Sequence, residues 1–177
     1  MKNEKSWSAK KLTQIALCMA VVCVSTIAIQ IPIPLGYMHL GNCCILLVSV
    51  FFDVTTGTLA GGVGSAMADL LSGYPQWIIP TLIIKGVMGY AIAYISKKDG
   101  KRAKLNSLRT LIATSLGIVI MIAGYTIFGA ILYGSIASGI AQVPGLTLEG
   151  VLGMVLFYLV AFALEGSKLV RHSQIQK

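Results

Sequence analysis

The chain has 177 residues, 56% of them hydrophobic and only 11% charged, with a net charge of +8. A soluble domain carries about 25% charged residues, so this deficit, spread over several long apolar runs, excludes a water-soluble globular protein. It indicates one integral membrane domain over residues 1–177. The positive charge does not indicate nucleic acid, because aromatic residues are few, no nucleic-acid motif occurs, and the basic residues fall in clusters between the apolar runs.

Lys2, Lys5, Lys10 and Lys11 precede the first apolar run, 12–31. That run is longer than a signal-peptide core and no small-x-small cleavage site follows, so it reads as a retained helix near 9–31. Ala16 and Ala20 form an AxxxA pair on it, extended by Ala9 and Thr13. Such a smooth face suits internal or lipid packing, or docking of a partner helix. A loop, PIPLGYMHLGN, occupies 32–42 and carries His39 and Asn42 at the entry to a second helix near 39–53, short for a full span. The third helix, near 55–72, is rich in small residues (Gly57, Gly61, Gly62, Gly64, Ser65, Ala68) and carries Asp69 close to its end. The turn SGYPQW, 72–77, leads to a fourth helix near 78–96 that contains Lys85. A basic loop, 97–109, precedes a fifth helix near 107–132 with Tyr125, and a loop at 134–145 precedes a sixth near 147–169. Glu149 opens this last helix, Tyr158 lies deeper, and Glu165 with Lys168 reads as an ordinary surface pair.

Six spans place all three basic clusters, before the first helix, at 97–109 and at the C-terminus, on one face. Five would split them. The positive-inside rule then makes this an all-α protein of six transmembrane helices with both termini cytoplasmic. Asp69 and Lys85 fall in the outer half of the bilayer on adjacent antiparallel helices. An ionised group there costs several kcal/mol unless paired or wet. Two readings stand: an ion pair, direct or through water, that locks the two helices, or a polar contact for a substrate entering from outside. The small residues before Asp69 turn it toward protein in either case.

His39, Asn42, Trp77, Tyr125, Glu149 and Tyr158 lie in the same outer region and are further candidates for a substrate cavity. Each has a plainer alternative. Trp77 suits an interfacial aromatic belt, Glu149 a helix cap, and Tyr158 the core. Cys18, Cys23, Cys43 and Cys44 read as buried hydrophobes, and no metal-ligand spacing occurs. GTLAGGVGS lacks the Lys-Ser/Thr of a P-loop, and no nucleophile–base constellation is present, so no enzyme activity and no cofactor is expected. Any ATP-driven step belongs to another subunit. The alternative function is a stand-alone channel or exporter, which needs a polar path that the inner halves of the first, fourth and fifth helices do not offer.

The chain resembles the substrate-binding S components of energy-coupling factor (ECF) vitamin transporters of Gram-positive bacteria. The resemblance spans nearly the whole chain and rests on six spans, the AxxxA pair, HLG at 39–41 and the run GTLAGGVGSAMADLLSGYPQWIIPTLIIKGVMG. It is nearest to a subgroup patterned HLGD…ADL..GY....P...IK, and this chain has Asn42 where that pattern has an acid. The resemblance implies a plasma-membrane subunit that binds a micronutrient in an outer cavity capped by the first loop. It also implies association with a transmembrane coupling subunit, through Ala16 and Ala20, and with two ATPase subunits, delivery being by toppling in the membrane. The substrates it implies are small hydroxylated heteroaromatics, pyridoxine or hydroxymethylpyrimidine. The few aromatics at the outer face favour these over riboflavin or folate. Hydrogen bonds from His39, Asn42, Asp69 and Lys85 would complement stacking on Tyr or Trp.

Overall fold

The structure, a computed structural model, describes residues 7–33, 36–98 and 101–166. Helix α1, Ala9–Ala28, starts at Ser8, whose hydroxyl accepts from the Lys11 amide. It stops three residues short of the expected end because the chain turns extended at Ile29. Strand β1, Gln30–Ile33, pairs antiparallel with β2, Gly36–His39, Gln30 facing His39 and Pro32 facing Tyr37. The first loop is therefore a β-hairpin, a correction to its reading as irregular loop. Pro32 is tolerated because a two-stranded ribbon has only edges.

Helix α2, Gly41–Phe51, begins without a capping side chain of its own N-cap residue. His39 takes that role, its Nδ1 accepting from the Gly41 amide at 3.0 Å. At 11 residues α2 is about 16 Å long, well short of a bilayer. Helix α3, Val54–Leu71, is capped by Asp53. A turn through Gly73, whose φ of +81° suits glycine, and a 3₁₀ turn at Pro75–Trp77 lead into α4, Ile78–Ile95. A second hairpin, β3 (Lys97–Lys98) with β4 (Lys101–Arg102), joins α4 to α5, Leu108–Leu132. The last loop contains a helix the sequence did not announce, α6, Ile136–Ala141. It is followed by α7, Val143–Gly166, which starts four residues before the expected boundary with Pro144 in its first turn. Glu149 thus lies beyond the first turn of α7, and the capping role considered for it is overturned.

The architecture is a helical membrane bundle. Four segments, Ala9–Ala28, Pro75–Ile95, Leu108–Leu132 and Ile136–Gly166, are long and apolar enough to cross a membrane. Helix α3 reaches the core through its lack of bulk. A Cβ on Gly61 would stand 2.7 Å from the Lys85 carbonyl, one on Gly62 2.9 Å from that of Leu82, and one on Gly64 2.8 Å from that of Met19. The α3 backbone therefore lies directly on the backbones of α4 and α1. Val22, Ile45, Leu46, Met88, Ile92, Met121 and Phe157 fill the centre. A belt of exposed apolar side chains, including Leu17, Val24, Ile79, Val119, Ile131 and Leu159, surrounds it.

The two ends of the bundle differ. At one end, Lys11 of α1 meets Asp53 and Thr56. Lys97 donates to carbonyls at the C-terminus of α2, among them those of Ser49 and Phe52. Arg109 donates to the carbonyls of Ile95 and Lys97. Cations at helix C-termini are favourable. Glu165 pairs with Arg102 at 2.5 Å; the Lys168 expected beside it lies outside the described residues. So do Lys2, Lys5 and the remaining C-terminal cations, Arg171 and Lys177. The opposite end is formed by the β1–β2 hairpin, the 72–77 turn and α6.

Asp53 gives this basic end a measurable signature. Burial alone would raise its carboxyl, but hydrogen bonds from Lys11 and Thr56 outweigh that and hold its pKa at about 2, below the ordinary 3.8. A depressed carboxylate stabilises the fold above its unfolded pKa, and that contribution is lost as pH falls through the folded value. Asp53→Asn, which keeps a capping oxygen, should cost no more than about 1 kcal/mol at neutral pH, since the pair is partly exposed. The difference in melting temperature from wild type should vanish between about pH 4 and pH 2. A difference that persists at pH 2 would show that the ion pair is not its source.

Candidate functional site

Below the hairpin end lies a cavity that, with its open mouth included, encloses about 420 Å³ of empty space. One wall comes from β2, the end of α3 and the α3–α4 turn: Tyr37, His39, Asp69 and Tyr74. The other comes from the 3₁₀ turn before α4, α4 itself, α5 and the α6–α7 junction: Trp77, Thr81, Tyr125, Gln142 and Leu146, with Glu149 deeper on α7. The hairpin holds its rings by mutual packing, Tyr37 lying 4.8 Å from Tyr74 and 5.5 Å from His39 between centroids. Gln30 donates to the Ser72 hydroxyl at 2.8 Å and ties the base of the hairpin to the turn. Trp77 packs on Tyr125 and Tyr133.

Asp69 and Lys85 have different partners. The Tyr37 hydroxyl donates to Asp69 Oδ1 at 2.7 Å. That phenol stays protonated, pushed up by burial first and then by the Asp69 charge. Lys85, 1% exposed, donates to Asn42 Oδ1 at 2.5 Å and lies against Met121 Sδ and the Tyr125 ring. The Asn42 amide in turn donates to Glu149 Oε1 at 2.8 Å. The direct Asp69–Lys85 pair considered from sequence does not form among the described residues. α2, carrying Asn42, reaches Lys85 first.

The floor is thus a buried relay, Lys85–Asn42–Glu149, that returns an acid and a base to mutual compensation. It also accounts for the amide at position 42. An aspartate there could accept from Lys85, but it could not donate to Glu149 and would set two carboxylates together. His39 completes the floor. Its Nδ1 is used by the Gly41 amide, which leaves the ring proton on Nε2, 3.4 Å from Glu149 Oε1. Burial first, and then Lys85, hold the imidazole well below its ordinary pKa, so it is neutral there.

The upper cavity is not compensated in this way. Asp69 Oδ2, Trp77 Nε1 and Gln142 Nε2 are buried with no hydrogen-bond partner among the described residues. Buried polar atoms are nearly always paired, and three of the eight that lack a partner among the described residues belong to side chains lining this one cavity.

Residues 6–165 match the family described as "ECF-type riboflavin transporter, S component". The chain belongs to this S-component family. S components are transport subunits built into the membrane, and the family carries the substrate-binding role, not an enzymatic one. Two relatives are reported. A protein of Pyrococcus woesei, described as "Uncharacterized protein in gap 3'region", is 40% identical over 144 residues, 76% of this chain and 93% of its own. The "Thiamine precursor transporter HmpT" of Lactococcus lactis subsp. cremoris is 30% identical over 140 residues, 76% of this chain and 75% of its own.

Of the candidates from sequence, this S component places His39, Asp69, Trp77, Tyr125 and Glu149 on the cavity wall and Asn42 and Lys85 in the floor beneath. Tyr158 packs on Phe157 and Phe162, away from the cavity lining. Ala16 and Ala20 are exposed on the outer face of α1. Sequence reasoning missed Tyr37, Thr81 and Gln142. Tyr37 shares a strand face with His39, but that strand was not legible in the sequence.

Proposed function

We propose that this S component is the high-affinity substrate-binding subunit of an ECF-type importer, taking up a small vitamin or vitamin precursor while partner subunits hydrolyse ATP. The observation that carries this reading is the cavity at the hairpin end, walled by Tyr37, Tyr74, Trp77 and Tyr125, with three of its lining side chains carrying a buried polar atom that lacks a partner among the described residues. Aromatic walls with a few placed polar groups suit a flat heteroaromatic molecule. Pyridoxine or hydroxymethylpyrimidine is favoured. The family description names riboflavin, but the cavity is small, and the Lactococcus lactis relative carries the description of a thiamine precursor transporter.

In this reading α1, α2, α3, α4, α5 and α7 are the six spans. The basic end and both termini face the cytoplasm of the cell whose plasma membrane holds the protein, a Gram-positive bacterium by the resemblance. Ala16 and Ala20 present a smooth helix face to a transmembrane coupling subunit, which brings two ATPase subunits. A stand-alone channel or exporter is disfavoured, because the core beneath Lys85 is closed by Leu46, Met88, Ile92 and Phe157 among the described residues.

The test is mass spectrometry of small molecules released from the purified protein, followed by calorimetric titration. Release of a pyrimidine or pyridine alcohol, and saturable binding of it, is the expected result. Binding of riboflavin with no response to either small ring would replace the substrate. No binding of any B vitamin or precursor would sink the reading.

A further inference from the structure

We infer that the cavity takes its ligand as a cation: the two carboxylates that line it, Asp69 and Glu149, are matched by a single ammonium, Lys85, and a positively charged aza-heterocycle supplies the missing charge. The inference rests on the substrate class proposed above and deepens it. It starts from the distribution of charge along the chain. The net charge is +8, yet of the 14 Lys and Arg residues Lys85 alone falls within 12–96 or 110–167. Lys11, Lys97 and Arg109 are held at the opposite, basic end. The hairpin half is therefore the negative half of a strongly basic chain.

Each charge has a definite place. Asp69 and Glu149 line the cavity, on α3 and α7. Lys85 lies beneath it on α4, where its ammonium donates to Asn42 and stands 5.3 Å from the centre of the Tyr125 ring. Through Asn42 it compensates Glu149. Asp69 is left with the Tyr37 hydroxyl, a neutral donor, and pairs with no cation among the described residues. His39 adds no charge, since burial and Lys85 keep it neutral. Helices α2 and α6 contain no acidic or basic residue, and α5 contains only Arg109, at the other end. One ammonium cannot balance two carboxylates. A charge needs no exposed atom to act on a ligand, because its field is weakly screened where water is scarce. Burying a net negative charge is costly, and a cationic ligand relieves that cost. Tyr37, Tyr74, Trp77 and Tyr125 line the same space, and aromatic rings attract a cation most strongly when it is desolvated. An aminopyrimidine or a pyridine meets both demands by carrying a proton on a ring nitrogen.

The test uses the full chain in detergent and two probes of the same shape. One is 3-(hydroxymethyl)-1-methylpyridinium, a permanent cation. The other is 3-methylbenzyl alcohol, in which carbon replaces the charged nitrogen. Each is titrated as a competitor of whichever of hydroxymethylpyrimidine or pyridoxine the wild type binds. The cation should compete about tenfold more strongly than its neutral isostere, or better. Asp69→Asn and Glu149→Gln each remove one negative charge, so each should bring that ratio toward one. Ligand-free melting curves verify that the variants are folded, and the wild-type ratio decides the question if neither is. Equal competition by the two probes, stronger competition by the neutral one, or none by either overturns the inference alone. A ratio that neither folded variant lowers does the same. Failure of the wild type to bind hydroxymethylpyrimidine or pyridoxine overturns the substrate class, and this inference with it.

Discussion

Replacing Lys85 with methionine should destabilise the protein by about 3–5 kcal/mol, the usual effect of removing one partner from a buried ion pair. The side chain is 1% exposed and lies at the end of the relay through Asn42 to Glu149. Methionine fills the space of the aliphatic stem but leaves the Glu149 carboxylate buried with no cation near it. Adding Glu149→Gln to Lys85→Met should recover a large part of the loss, because a neutral amide can still accept from Asn42. The measurement is a thermal or denaturant unfolding series in one detergent on the wild type, both single variants and the double. Strict additivity of the two singles would show that Lys85 and Glu149 are not coupled, and the compensated floor would then be wrong.

Asp69→Asn should act in the opposite sense, on the ligand more than on the fold. Tyr37 occupies one carboxylate oxygen and the other has no partner among the described residues. A hydrogen bond to a charged acceptor contributes about 1.5–3 kcal/mol, so the affinity for an amine-bearing heteroaromatic should fall roughly ten- to hundredfold. Tyr37→Phe, which removes only a hydroxyl that orients the carboxylate, should fall short of that. Calorimetric titration checks both. Asp69→Asn binding as tightly as wild type would move the ligand's polar anchor elsewhere in the cavity.

Much of the architecture was legible because breakers and charge mark it. Helices α4 and α5 lie within one residue of their expected bounds, because Pro75 and the 97–109 cations delimit them. The hairpin was not legible: its strands are four residues each, and Pro32 and Gly36 read as turn signals. α6 has six residues and too little periodicity to be seen.

In the site, the depth of Asp69 and Lys85 followed from topology, but their partners did not. Adjacent helices fix neighbours, not rotamers, and α2 and β2 intervene with Asn42 and Tyr37. Gln142 carried no signal of its own, as a polar residue in a Gly- and Pro-containing loop. Its burial is set by Gly129, on another helix, and glycine is too frequent in membrane helices for one of them to point to a site.

The backbone-to-backbone seam of α3 with α4 has a thermodynamic consequence. Gly61 and Gly62 meet carbonyl groups of α4, not side chains, so this seam has little rotamer freedom to lose when a ligand binds. The ordering entropy of binding then falls on the hairpin and on the ring-bearing side chains above it. Calorimetry should accordingly return an unfavourable entropy that shrinks when the hairpin is tethered to the 72–77 turn, and the wall that carries Lys85 should show the same amide exchange with ligand as without it.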